Sequence, residues 1–140
     1  MLNRSAEYAL SAVTQLALLG PDESAQAAEL AAMLKLPANY LSKILHQLAA
    51  EGILVSRRGR SGGFRLALSA ERITLDKVVA PFDDIASYRG CVLGNKVCSD
   101  RTACVAHARW KPISESVTAF LKETTVAELL GAPTRSAAKR

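Results

Sequence analysis

Residues 38 to 57 change their periodicity abruptly, and that change constrains the fold more than any other feature of the chain. Leu41, Ile44, Leu45 and Leu48 fall at i, i+3, i+4 and i+7, so they form the buried stripe of an amphipathic helix. Gly52 ends that pattern as a left-handed cap, and two short β-type runs follow, Ile53 to Arg57 and Phe64 to Leu68. They flank Gly59, Gly62 and Gly63, where a tight turn needs positive φ or close backbone approach. A helix leading directly into a glycine-tipped hairpin leaves few arrangements open.

The elements upstream narrow them further. Residues 4 to 19 place Tyr8, Ala9, Ala12, Val13, Leu16 and Leu19 on one helix face, and Gly20-Pro21-Asp22 stops it. A short helix runs from about Ala27 to Leu34, and Lys35-Leu36-Pro37 is the turn into the amphipathic helix, with Pro37 at its first position. Two helices, a tight turn and a hairpin predict a winged helix-turn-helix: a mainly helical fold with a small β-hairpin wing. Downstream, a helix over 74 to 82 is expected, capped by Thr74 with Asp76 in its first turn. A Gly- and Cys-rich loop and a long helix from about Ala103 to Lys122 follow, with Ile113, Val117, Phe120 and Thr124 at helical spacing. A last short helix near 126 to 130 precedes a polar tail. This divides the chain into a winged helix-turn-helix at 1–82, a cysteine-rich loop at 83–105, C-terminal helices at 106–131 and a tail at 132–140.

Charge is distributed unevenly over these parts. Between Lys35 and Arg65 stand six basic residues (Lys35, Lys43, Arg57, Arg58, Arg60 and Arg65) against the single acid Glu51, which accounts for the whole net charge of +5. Such a local basic patch is the footprint of a surface that meets phosphates. On the expected helix the face opposite the leucines shows Asn39, Lys43 and His46, with Tyr40 and Ser42 near its edges. Residues at its N-terminal end, Ala38 to Lys43, would reach deepest into a major groove. Arg60, with Arg58 beside it, would ride the hairpin tip into a narrow minor groove. Double-stranded DNA is therefore the expected partner. Aromatic residues make up only 5% of the chain, which argues against stacking platforms for single strands. No apolar run approaches the roughly 20 residues that span a bilayer. The first 20 residues read as an amphipathic helix carrying Arg4 and Glu7 rather than as a leader, so a soluble, cytoplasmic protein is expected.

All three cysteines, Cys91, Cys98 and Cys104, lie within 14 positions, and His107 follows. An odd number rules out a complete intramolecular disulfide framework. Three thiolates and an imidazole could close a zinc site or hold an iron–sulfur cluster. The gaps, C-x6-C-x5-C, are wider than zinc knuckles and suit a larger inorganic core. Nothing in the chain resembles a phosphate loop or a nucleophile–base pair, and an electron carrier has no use for a basic wing, so no enzymatic activity is expected.

Taken together these residues are similar to a known group. The chain resembles the IscR/NsrR/RirA family of iron–sulfur regulators over about residues 1 to 130, from Ser5-Ala-Glu-Tyr-Ala-Leu10 through Asn39-Tyr-Leu41 and Arg58-Gly-Arg-Ser-Gly-Gly-Phe64 to the cysteine loop, Trp110 and Thr125-Val-Ala-Glu-Leu129. The resemblance implies a homodimer clasped by the long C-terminal helix, two reading heads on a palindromic operator, and a repressor whose DNA affinity follows the state of a cluster. Cys104-Val-Ala-His107 looks most like the IscR branch, which implies a two-iron cluster (2Fe-2S) with His107 as fourth ligand. Glu7 stands where some relatives use an acidic residue of the opposite subunit, and a four-iron cluster (4Fe-4S) stays open. The signal is then iron or cluster status, redox state or nitric oxide. The competing expectation is a regulator without a cluster, using its cysteines for zinc or thiol oxidation.

Overall fold

A computed structural model describes residues 2–59, 62–85 and 105–131. The first helix, α1 (Arg4–Leu19), starts at Asn3, whose side-chain oxygen accepts from the Ala6 amide at 2.8 Å. Its buried face is Ala6, Ala9, Ala12, Val13 and Leu16. Three alanines on that stripe let neighbouring helices approach closely, and α1 accordingly packs against most of the other elements. Helix α2 (Ala27–Leu34) ends at Lys35, which takes the left-handed conformation with φ 56°.

Helix α3 (Ala38–Ala50) buries Leu41, Ile44, Leu45 and Leu48, the predicted stripe. Pro37 sits one position earlier than expected: it is the cap rather than the first helical residue, with extended ψ (123°) and its carbonyl accepting from Leu41 at 3.0 Å. The far end closes as a Schellman motif. Gly52 (φ 81°) donates to Ala49 at 3.1 Å and Ile53 to Leu48 at 3.0 Å. That closure turns the chain directly into the hairpin.

Strands β1 (Leu54–Arg57) and β2 (Gly63–Leu66) pair antiparallel, Leu54 opposite Leu66 and Arg57 opposite Gly63. A third, single-residue rung comes from Ala25, which exchanges both backbone hydrogen bonds with Phe64 at 2.8 and 3.0 Å. Leu54 and Phe64 point inward to the core, whereas Arg57 lies on the outward face.

The helix expected at 74–82 is shorter. A 3₁₀ turn (Ala70–Arg72) precedes α4 (Leu75–Val79), and the Thr74 hydroxyl bonds the Asp76 carboxylate instead of capping the backbone. Helix α5 (His107–Glu123) and the short α6 (Val126–Leu129) complete the described chain. Thr74 and Thr125 form an isolated bridge, with Leu75 donating to Thr124 at 3.0 Å and Val126 to Ile73 at 2.8 Å. Leu121 and Val126 consequently belong to the same core as α1 and α3. The apolar stripe of α5 runs the other way from what a core-facing helix shows: Ile113 and Phe120 are 54% and 51% exposed, and the buried positions are His107, Ser114, Thr118 and Leu121.

Candidate nucleic-acid interface

The second helix of the helix-turn-helix presents its polar face to solvent. Ala38, Asn39, Lys43 and His46 are exposed and Ser42 is half-buried. Asn39 and Lys43 make no side-chain hydrogen bond or ion pair among the described residues, so both are available to base edges and phosphates. Pro37 at the cap offers no side-chain acceptor to the first-turn amides of α3, which point, with the positive end of the helix dipole, toward the same end.

Tyr40 behaves differently. Its ring stands edge-on to Tyr8 at 5.5 Å between centroids, and its hydroxyl is hydrogen-bonded to that of Ser5. Part of this side chain is therefore turned toward α1 rather than outward, a placement that α3's periodicity alone does not reveal. His46 is also engaged: its ring meets Phe64 of β2 edge-on at 5.1 Å, so the recognition helix and the wing are held as one surface.

The wing is braced from behind by residues the sequence reading did not single out. Gln26 donates through Nε2 to the Gly59 carbonyl at 3.3 Å, and Ser24 through Oγ to the Gly62 carbonyl at 3.4 Å. The Gly62 amide closes the tip by donating to Gly59 at 3.0 Å. Gly63 has φ 114°, and a Cβ there would lie 2.4 Å from the Ala25 carbonyl oxygen. Only glycine lets the third rung approach. Arg57 and Arg58 are exposed on or near the tip; Arg60, the residue expected to enter the minor groove, lies outside the described residues.

Of the expected ligand residues, Cys91, Cys98 and Cys104 lie outside the described residues as well. His107 is described: it opens α5 and is only 8% exposed. Glu7 is exposed in the first turn of α1.

A winged helix whose second helix and wing expose Lys43, Arg57 and Arg58 is the architecture of a DNA-binding protein. The comparisons with known proteins make the assignment specific. Residues 2–132 match the Rrf2 family, described as iron-dependent transcriptional regulators, and the chain belongs to that family. It is similar to a helix-turn-helix-type transcriptional regulator of Aquifex aeolicus, 33% identical over 125 residues, covering 88% of this chain and 86% of that one. It is also similar to the transcriptional regulator IscR of Vibrio cholerae, 28% identical over 129 residues, or 92% of this chain and 74% of IscR. Among solved structures, the global cysteine regulator CymR of Bacillus subtilis superposes with a TM-score of 0.75 at 21% identity, over 96% of this chain and 98% of CymR, a likeness of fold. The protein is thus a DNA-binding transcription regulator and not an enzyme.

Proposed function

We propose that this regulator is a cytoplasmic repressor that binds a palindromic operator as a homodimer, and that an iron–sulfur cluster held by Cys91, Cys98, Cys104 and His107 sets its DNA affinity. The observation that carries the sensing half is the donor set. Three cysteines stand within 14 positions, and a buried histidine opens the next helix, in a family described as iron-dependent. Three thiolates and an imidazole supply four donors of the kind a two-iron cluster takes. When bound, such a cluster contributes a redox-active centre that can be lost or altered. The protein's own part is to tie the loop to the reading head. His107 begins α5, α5 packs on α4, α4 packs on α1, and α1 holds Tyr40 of α3. Ile113 and Phe120 on the outer side of α5 offer the apolar seam for a second copy, and two-fold pairing places two reading heads on one duplex.

In that reading Ala38, Asn39, Ser42 and Lys43 meet the major groove, Tyr40 braces the start of α3 against α1, and Arg58 and Arg60 meet the minor groove. Replacing Lys43 or Arg60 by alanine weakens operator binding while fold and cluster persist. Unchanged affinity in both variants sinks the contact surface. For the cluster, the experiment is anaerobic visible absorption with iron and sulfide quantified. Equal amounts of iron and sulfide with charge-transfer bands, both lost in Cys98→Ala, support it. The second reading, a regulator whose cysteines act through zinc or thiol oxidation, draws support from the fold shared with the cysteine regulator of B. subtilis. It predicts a protein that stays colourless after reconstitution with iron and sulfide.

A further inference from the structure

The outward face of the wing carries an arrangement that the reading face of α3 does not explain. Because side chains alternate along a strand, Val55 and Arg57 of β1 share this face with Gly63 and Arg65 of β2, and the register sets Val55 opposite Arg65. Asp22 and Ser24 from the loop between α1 and α2 close it off, leaving a hollow of about 290 Å³ lined by Asp22, Ser24, Arg57, Gly63 and Arg65. Ser24 is turned to the Gly62 carbonyl.

The two arginines are unequally occupied. Arg65 Nη1 pairs with Asp22 Oδ1 at 3.3 Å, with the Arg65 side chain 27% and the Asp22 side chain 91% exposed. Arg65 Nε is buried and has no hydrogen-bond partner among the described residues. Arg57 is exposed and makes no ion pair there. An arginine presents donors in a planar fork that matches two oxygens of a phosphate or carboxylate. Here the single, solvent-exposed carboxylate of Asp22 engages one nitrogen of that fork and leaves a buried donor unsatisfied. Such exposed ion pairs are weak, so a tetrahedral oxyanion with more acceptors competes well for the same arginine.

Its position says where the anion comes from. A wing in a minor groove is flanked by two phosphate strands. In the docking proposed above, the side toward α3 would meet one strand and the outward face the other. We propose that Arg57 and Arg65 form a clamp for a DNA backbone phosphate on this far strand, and that Asp22 is its internal competitor, displaced when the duplex docks. The clamp rests on the wing lying in the minor groove as described under Proposed function, and adds to it a second, sequence-independent anchor.

The test uses the full-length protein and a duplex that it selects from a random library. Arg57→Gln removes an exposed side chain without a partner. It weakens binding about tenfold and lowers the slope of log affinity against log salt by about one per protomer. Asp22→Asn, which keeps a residue that tolerates the left-handed backbone at φ 66°, tightens binding. A walk of neutral methylphosphonates along each strand finds one backbone position per half-site at which Arg57→Gln no longer costs affinity. Equal affinities and salt slopes for wild type, Arg57→Gln and Asp22→Asn overturn the clamp. So does inorganic phosphate binding that requires Arg57 while the variants bind duplex like wild type, which would assign the hollow to a free oxyanion. Wild-type protein that selects no duplex at all would instead overturn the DNA reading, an outcome visible before any variant is made.

Discussion

The hydroxyl of Tyr40, in the first turn of α3, is hydrogen-bonded to the hydroxyl of Ser5, in the first turn of α1. With the edge-on contact between Tyr40 and Tyr8, this pins the N-terminal end of the recognition helix to α1. The same end of α1 reaches the segment leading into the cysteine loop. Asn3, besides capping the helix, donates from its backbone amide to Asp83 Oδ2 at 2.8 Å and from Nδ2 to the Phe82 carbonyl at 2.5 Å. One helix start therefore touches both the loop's entry and the reading head. That is a physical route by which order in one can bias the other.

Tyr40→Phe separates bracing from reading. It keeps the ring against Tyr8 and deletes only the hydroxyl bond, a net loss of about 1 kcal/mol. Thermal unfolding followed by circular dichroism should show a melting temperature lower by about 3–6 °C, with DNA affinity falling less than in Lys43→Ala. An unshifted melting temperature together with a loss of affinity as large as that of Lys43→Ala would make Tyr40 a DNA contact and not a brace.

Gly63→Ala tests the junction on which the wing's orientation depends. The substituted residue would have to hold φ near 114° with its Cβ 2.4 Å from the Ala25 carbonyl oxygen, and that neighbour is backbone bound on both sides to Phe64. Strained φ and a clash that cannot be relieved by a side chain cost about 2–3 kcal/mol. The urea midpoint should fall accordingly. A midpoint within error of wild type would mean that the Ala25 rung is dispensable.

How far the sequence could be read follows from what each signal depends on. The leucine stripe of α3 and the Gly52 cap are local patterns, and the structure reproduces both, because burial and φ sign at those positions depend on near neighbours. Pro37 stands one position earlier than the sequence predicts because its fixed φ suits the cap as well as the first turn. Helix α4 is shorter than its sequence predicts: the apolar spacing continues past Val79, but the chain turns at Ala80–Pro81 to meet Asn3. The least legible features are pairings between distant segments. Tyr40 with Ser5, Gln26 with Gly59, and Asp22 with Arg65 join residues 33 to 43 positions apart, and no periodicity encodes them. The spacing of Ile113, Val117 and Phe120 is visible in the sequence, but it does not say that Val117 packs on the core while Ile113 and Phe120 lie outside it.

Exposure of Ile113 and Phe120 makes the proposed homodimer testable. Ile113 and Phe120 lie outside the core in a single chain, so charge there costs the folded monomer little, whereas a buried seam would reject it. Ile113→Asp combined with Phe120→Asp should halve the mass measured by light scattering, retain helical circular dichroism, and reduce operator affinity by more than tenfold through loss of the second reading head. A variant with the mass of wild type would place the dimer seam elsewhere.

For the proposed cluster, the fourth ligand can be decided between two residues whose settings differ. His107 is buried at the start of α5, three positions after Cys104, while Glu7 is solvent-exposed on α1. An imidazole already out of water loses little on binding a metal; a hydrated carboxylate must be desolvated and, as the resemblance implies, supplied by the partner subunit. His107→Ala should therefore change the visible circular dichroism of anaerobically reconstituted protein and speed iron loss to a chelator, with Glu7→Gln matching wild type in both. Apo-protein circular dichroism in the far ultraviolet serves as the control for α5, since removing a buried side chain could loosen the helix. The reverse pattern, an altered spectrum in Glu7→Gln and a wild-type one in His107→Ala, would move the ligand to α1 and make cluster binding depend on dimer formation.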